Sequence, residues 1–143
     1  MIAVPSYSYA VVRVSALEDM NLGSWDGESD MTGEEYICVF SASYSYTLVA
    51  QGEGPGGSFI LRNALERLPY EVSYSDRIFS GQHFPVTANQ PINRLFTFQA
   101  TSSRCGYFGF PSARLQVTIP ASELNNAVPG VYRGILRLTV IAE

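Results

Sequence analysis

The chain is 143 residues long, 46% hydrophobic, 13% aromatic and 15% charged, with a formal net charge of −4. A single domain of that length buries about 68% of its unfolded surface and needs no metal to fold. All nine cations are arginine, which removes lysine Schiff-base chemistry and the phosphate-cradling P-loop, and the acidic balance argues against a nucleic-acid binder.

From the N-terminus, MIAVPSYSYAVVRV has no basic segment leading into an apolar one, so no secretory signal is visible. Met1 as a true start and Met1 as the replacement of a removed signal both remain open. Residues 9–16 alternate, placing Ala10, Val12, Val14 and Ala16 on one face. Residues 36–41 and 44–50 follow as two strands, the second turning Tyr44, Tyr46, Leu48 and Ala50 to one side. QGEGPGG (51–57) is a turn. SFILR is a short strand, and in PYEVSY the residues Tyr70, Val72 and Tyr74 oppose Glu71 and Ser73. Residues 76–94, punctuated by Gly81, Pro85, Asn89, Pro91 and Asn93, read as an irregular connection. LFTFQA then sets Phe96, Phe98 and Ala100 on one side, and ARLQVTI sets Leu115, Val117 and Ile119 against Arg114, Gln116 and Thr118. PASELNNA makes one helical turn. After the Pro129-Gly130 turn, VYRGILRLTVIA is a closing strand with Tyr132, Leu136, Leu138 and Val140 inward.

Seven or eight short strands between turn signals predict an all-β chain folded as an antiparallel β-sandwich. The closing strand also carries Ile135 and Ile141 on its other face, and a strand apolar on both faces is expected inside an assembly or beside a partner strand. Residues 1–143 read as one domain, with no repeat and no linker. No apolar run approaches the roughly 18 residues of a membrane span.

A search for chemistry returns little. His83 is the one histidine, in the loop-like SGQHFP, with no nucleophile elbow around any serine; it reads as an exposed loop residue, and no catalytic residue is assigned. Seven of the thirteen acids fall between Glu18 and Glu35. Within them Asp26, Glu28 and Asp30 alternate like the first ligands of a calcium loop. Its sixth and twelfth positions, however, would be Met31 and Ile37, where such a loop needs Gly and Glu. A solvated acidic loop is expected, with no metal and no cofactor. Cys38 and Cys105 stand 67 positions apart and fit no zinc or redox spacing. Two buried thiols and a disulfide are both open, and an even count in an arginine-only, tyrosine-rich chain suits an oxidising compartment. The SYSY repeat at 6–9 offers Tyr7 and Tyr9 as surface contacts, while the one at 43–46 reads as core-lining.

The series LGSWDG (22–27), ICVFS (37–41), YTLVAQGEG (46–54), LPYEVSYSD (68–76), Cys105, RLQVTIPASEL (114–124) and PGVYRGILRLTVIAE (129–143) resembles the spore coat protein U domain. That domain is the pilin-like module of archaic, Csu-type chaperone–usher pili, and the resemblance runs from about residue 10 onward. It implies an immunoglobulin-like sandwich that lacks its last strand and is completed by a donated one. It further implies passage through the periplasm to the cell surface, and three kinds of partner: a periplasmic chaperone, an outer-membrane usher and neighbouring subunits. It gives Cys38 and Cys105 the family's disulfide. By the same resemblance, Tyr132, Leu136, Leu138 and Val140 line the acceptor groove. The segment with Ala10, Val12, Val14 and Ala16 is either a donor strand or the domain's own first strand, with residues 1–8 a tail or donor segment. The expected function is a non-enzymatic pilus or coat subunit serving adhesion or biofilm formation. The alternative is a secreted adhesin or lectin-like tip domain that binds a carbohydrate or an abiotic surface.

Overall fold

A computed structural model describes the backbone of residues 12–15 together with residues 20–41, 43–78, 83–96 and 111–143. Ten strands lie among the described residues: β1 (Val12–Ser15), β2 (Met31–Ser41), β3 (Ser45–Gln51), β4 (Ile60–Asn63), β5 (Glu66–Pro69), β6 (Glu71–Ser75), β7 (Phe84–Val86), β8 (Ile92–Phe96), β9 (Ala113–Ile119) and β10 (Arg137–Ala142). One short helix, α1 (Ala121–Asn126), joins β9 to the final segment. Every strand pairing is antiparallel. A five-stranded sheet runs in the order β1-β2-β9-β6-β7, a three-stranded sheet runs β10-β3-β8, and β4 and β5 form a hairpin. The chain is an all-β sandwich.

The pleat explains which residues meet between the sheets, because side chains two apart share a face. Ile37 and Val39 of β2, Leu115, Val117 and Ile119 of β9, and Val72 and Tyr74 of β6 come from the larger sheet. Tyr46, Leu48 and Ala50 of β3, Leu95 of β8, and Leu138 and Val140 of β10 come from the smaller, and all belong to one buried cluster. Burying each such aliphatic side chain contributes about 1.5–3 kcal/mol, so this cluster is what holds the layers together.

The two long margins of the sandwich differ. At one, β7 and β8 belong to opposite sheets and are joined by a tight turn in which Gln90 N–H donates to Thr87 O at 3.2 Å. There too, Asp76, just past β6, accepts the Phe96 N–H of β8 at 3.0 Å through Oδ2. At the other margin the first and last strands, β1 and β10, end the two sheets and approach each other.

Several expectations are corrected. The strand read from residue 36 begins at Met31, so Glu34 and Glu35 stand on β2 and not in an acidic loop. Tyr44 adopts a left-handed turn conformation (φ 67°) and is 72% exposed, so it leaves the inward series that continues at Tyr46. The irregular stretch 76–94 holds β7 and most of β8. Leu95 of β8 points inward and Phe96 is 44% exposed, while Phe98 and Ala100 lie outside the described residues. The closing strand is broken: β10 starts only at Arg137, and upstream of it Arg133 bridges Arg62 of β4. Tyr132 is therefore half-buried beside the core, with its hydroxyl donating to Val128 O at 2.6 Å. Gly134 permits the approach to β4, since a Cβ there would lie 3.0 Å from Ile60 O.

Candidate functional site

The margin formed by β1 and β10 is the candidate site. In β1, Val12 pairs with Ser41, Arg13 with Phe40, Val14 with Val39 and Ser15 with Cys38, so residues 12–15 are hydrogen-bonded to β2 of their own chain. β10 pairs with β3 in unbroken register, from Arg137 opposite Gln51 to Ala142 opposite Tyr46. Glu143 N–H donates to Ser45 O at 3.2 Å. By the two-residue alternation of an antiparallel ladder, the backbone groups of residues 137, 139 and 141 also face β3, and those of Leu138, Val140 and Ala142 face the margin.

Of the residues assigned to this margin from the sequence, Leu136 (1% exposed), Leu138 (1%) and Val140 (0%) are core residues. Tyr132 is separated from them by the break in the strand. Ile141 presents an apolar side chain on the outer face of β10, 42% exposed. Val12 and Val14 lie on β1, whereas Tyr7, Tyr9, Ala10, Ala16 and Cys105 lie outside the described residues. Cys38 is buried on the face of β2 opposite Ile37 and Val39, packed with Phe40.

Two polar clusters lie away from this margin. His83 is half-buried, not an exposed loop residue. Its Nε2 meets Arg114 Nη2, and its Nδ1 lies 3.5 Å from Ser73 Oγ, which donates to Gln116 Oε1 at 3.2 Å. A guanidinium only donates, so Nε2 accepts and the ring proton is assigned to Nδ1, facing the serine. That is the reverse of what a base activating Ser73 requires. Burial holds the His83 pKa below its ordinary value, helped by the Arg114 charge and opposed by Glu34.

In the acidic loop, Asp26 Oδ1 accepts the N–H groups of Glu28 and Ser29, both at 2.8 Å. Those bonds hold its pKa below the usual range. Asp30 Oδ1 accepts Ala121 N–H at 2.7 Å, serving the start of α1, where Pro120 offers no side-chain cap. Both carboxylates thus tie down backbone. No group of three or more His, Cys, Asp or Glu side chains that could hold a metal ion occurs among the described residues. No helix among them is long and apolar enough to cross a membrane.

Sequence reading missed how Asp76 acts. Asp76 closes the LPYEVSYSD motif, but its partner Phe96 lies in the LFTFQA strand 20 positions away and is brought to it only by the packing of the two sheets. The signal available was an acid set directly after an alternating strand, which in this chain is 8% exposed and bonded to the other sheet.

The sandwich is similar to a chain in a solved structure described as a chaperone–tip adhesin complex vital for synergistic activation of CFA/I fimbriae biogenesis. The TM-score is 0.58 and the sequence identity 20%, with 92% of this chain and 42% of that one covered. The likeness establishes the fold, and this chain spans less than half the length of that neighbour. No family model matches the chain, and no curated protein does. The resemblance to the spore coat protein U domain therefore rests on its motifs.

Proposed function

We propose that this chain is a non-enzymatic subunit of a chaperone–usher pilus that assembles by strand addition at the margin where β1 and β10 meet. The observation that carries the proposal is topological. Among the described residues the first and last strands end the two sheets side by side, and the end strand of a sheet is where β-strand addition takes place. The partners would be a periplasmic chaperone during transit, an outer-membrane usher and neighbouring subunits at the cell surface. The pairing of residues 12–15 with β2 supports reading them as the domain's own first strand, and a donated strand would then come from residues 1–11 of another copy or from a partner subunit. Cys38 and Cys105 would form a disulfide, which the burial of Cys38 supports. A second reading, a domain of a pilus-tip adhesin, is favoured by the tip-adhesin complex in which the structural neighbour was solved; Tyr7 and Tyr9 would then be contact residues.

The test is a thermal melt and gel filtration of the full chain, alone and with a synthetic peptide of residues 1–11, repeated on Ala142→Pro. Proline at 142 removes a margin-facing N–H and leaves the bonds of residues 141 and 143 to β3 in place. The expected result is self-association or a peptide-dependent rise in Tm that Ala142→Pro abolishes. A monomer that is indifferent to the peptide and to the substitution overturns strand addition.

A further inference from the structure

The β4–β5 hairpin carries a feature that strand addition does not use. Arg62 stands directly opposite Arg67 in the hairpin register, and on its other side it bridges Arg133. Arg62 N–H donates to Arg133 O at 2.8 Å, and Arg133 N–H to Arg62 O at 3.0 Å. The backbone groups of Arg62 thus point at Arg133, which makes Arg62 and Arg67 a non-hydrogen-bonded pair. Pairs of that type set Cα atoms about 4.5 Å apart and bring side chains closest. Residues directly opposite each other share a face, so Arg67, Arg62 and Arg133 form one row across three neighbouring backbone segments. All three are exposed.

Folding does not reward this arrangement. Like charges opposite one another on a sheet are destabilising, yet a chain of net charge −4 sets three of its nine arginines side by side. Among the described residues no carboxylate is bonded to the row. Glu53 Oε1 accepts Ile135 N–H at 2.8 Å, and what Arg62 Nη2 reaches is the Glu53 backbone oxygen, at 3.2 Å. Glu66 pairs with Asn63 and so projects from the opposite face of the hairpin.

We propose that the Arg67–Arg62–Arg133 row binds an acidic polysaccharide through its carboxylate or sulfate groups. Planar guanidinium forks take such groups through paired N–H···O bonds. Leu65, 95% exposed at the hairpin tip, and Val131, 69% exposed two residues before Arg133, lie on the tip side of the row and offer apolar surface for the C–H faces of sugar rings. A nucleic acid or an anionic membrane draws on positive charge spread over a larger area, and the net charge of −4 opposes both. The site is independent of whether β10 receives a strand.

The experiment measures binding of the full chain at low salt to heparin and to polygalacturonate. Dextran serves as the uncharged control, and vesicles of equal parts phosphatidylcholine and phosphatidylserine and duplex DNA serve as rival polyanions. The variant Arg62→Gln/Arg67→Gln/Arg133→Gln is expected to bind heparin or polygalacturonate at least about tenfold more weakly, with Tm unchanged or raised because the repulsion is gone. Arg77→Gln/Arg94→Gln, a loss of two charges elsewhere, is expected to stay within about twofold, the effect of general screening alone. Should the triple glutamine variant fail to fold, Arg62→Lys/Arg67→Lys/Arg133→Lys keeps the charge and removes the forks, and weaker binding is again expected. Four results would each overturn the proposal: no binding of the native chain to either acidic polysaccharide, equal binding by the row variants, equal loss in the control variant, or tighter binding to vesicles or DNA than to either polysaccharide.

Discussion

Tyr46 of β3 and Tyr74 of β6 meet hydroxyl to hydroxyl, 2.6 Å apart, between the two sheets. They are 1% and 0% exposed. Replacing Tyr74 with Phe keeps the buried ring and removes the partner of the Tyr46 hydroxyl, which then sits in apolar surroundings with its desolvation uncompensated. That costs about 1–3 kcal/mol, and Tyr46→Phe costs a similar amount for the same reason. The double variant strands neither hydroxyl, so its cost should fall well below the sum of the two, with a coupling of about 1–3 kcal/mol. Urea unfolding measures all four proteins, and an unchanged m-value keeps the comparison valid. In Tm, 1 kcal/mol corresponds to roughly 3–4 °C for a chain of this size. Alkaline pH gives a second readout. Burial raises both hydroxyls above their ordinary value of 10.0, and for Tyr46 it is joined by Tyr74. The folded state therefore holds the protonated forms. Their contribution is complete below pH 10 and is lost as pH rises beyond it, by about 1.4 kcal/mol per pH unit for each tyrosine. The double variant should lose that part of the slope. Strictly additive single costs, or an alkaline slope that survives in the double variant, would refute the reasoning.

Three further outcomes are expected. Burial and Arg114 lower the His83 pKa below 6.5, so its contribution is present above pH 6.5 and lost as pH falls below it; His83→Gln should flatten the decline in Tm between pH 6.5 and 5 relative to the native chain, and parallel curves would count against the Arg114 contact. Tyr70 stacks on Phe59, with ring centroids 5.5 Å apart, while its buried hydroxyl has no hydrogen-bond partner among the described residues; Tyr70→Phe should be neutral or stabilising by about 1 kcal/mol in urea, and a loss of that size would contradict it. Cys38→Ser/Cys105→Ser should cost roughly 4 kcal/mol if the two close a loop, and the intact unreduced mass, two hydrogens below the reduced one, checks the premise.

Strand identity was legible wherever one face alternated cleanly. Leu115, Val117 and Ile119, like Tyr70, Val72 and Tyr74, were assigned inward from spacing alone and are buried. The spacing misled where a backbone special intervened. Tyr44 continues the alternation of its strand in sequence, but its positive φ places it in the turn, and β3 starts only after it, at Ser45. The twelve residues of VYRGILRLTVIA keep their period through the point where the chain changes partner from β4 to β3, a change set by tertiary pairing and not by local pattern. β7 and residues 92–94 of β8 are hidden because Pro85, Pro91 and Asn93 are turn formers in isolation, and edge strands tolerate such residues. The arginine row was equally hidden, since Arg62, Arg67 and Arg133 become neighbours only through the hairpin register and one long-range bridge.

The same edge logic separates the two margins of the sandwich. Exposed strand edges invite pairing with other chains, and proteins blunt them with proline, bulges and short strands. β7 has three residues with Pro85 at its centre. β8 meets β3 through a register shift, with Arg94 at a φ of 60°. Both devices sit at the margin that a turn already ties together. β10 has neither: it runs Arg-Leu-Thr-Val-Ile-Ala without proline or glycine, keeps one register along its length and carries Ile141 outward. A sequence selected only for a solitary monomer would blunt both margins alike. Protection at β7 and β8 beside a regular β10 with Ile141 outward is the pattern expected when one margin is kept for a strand.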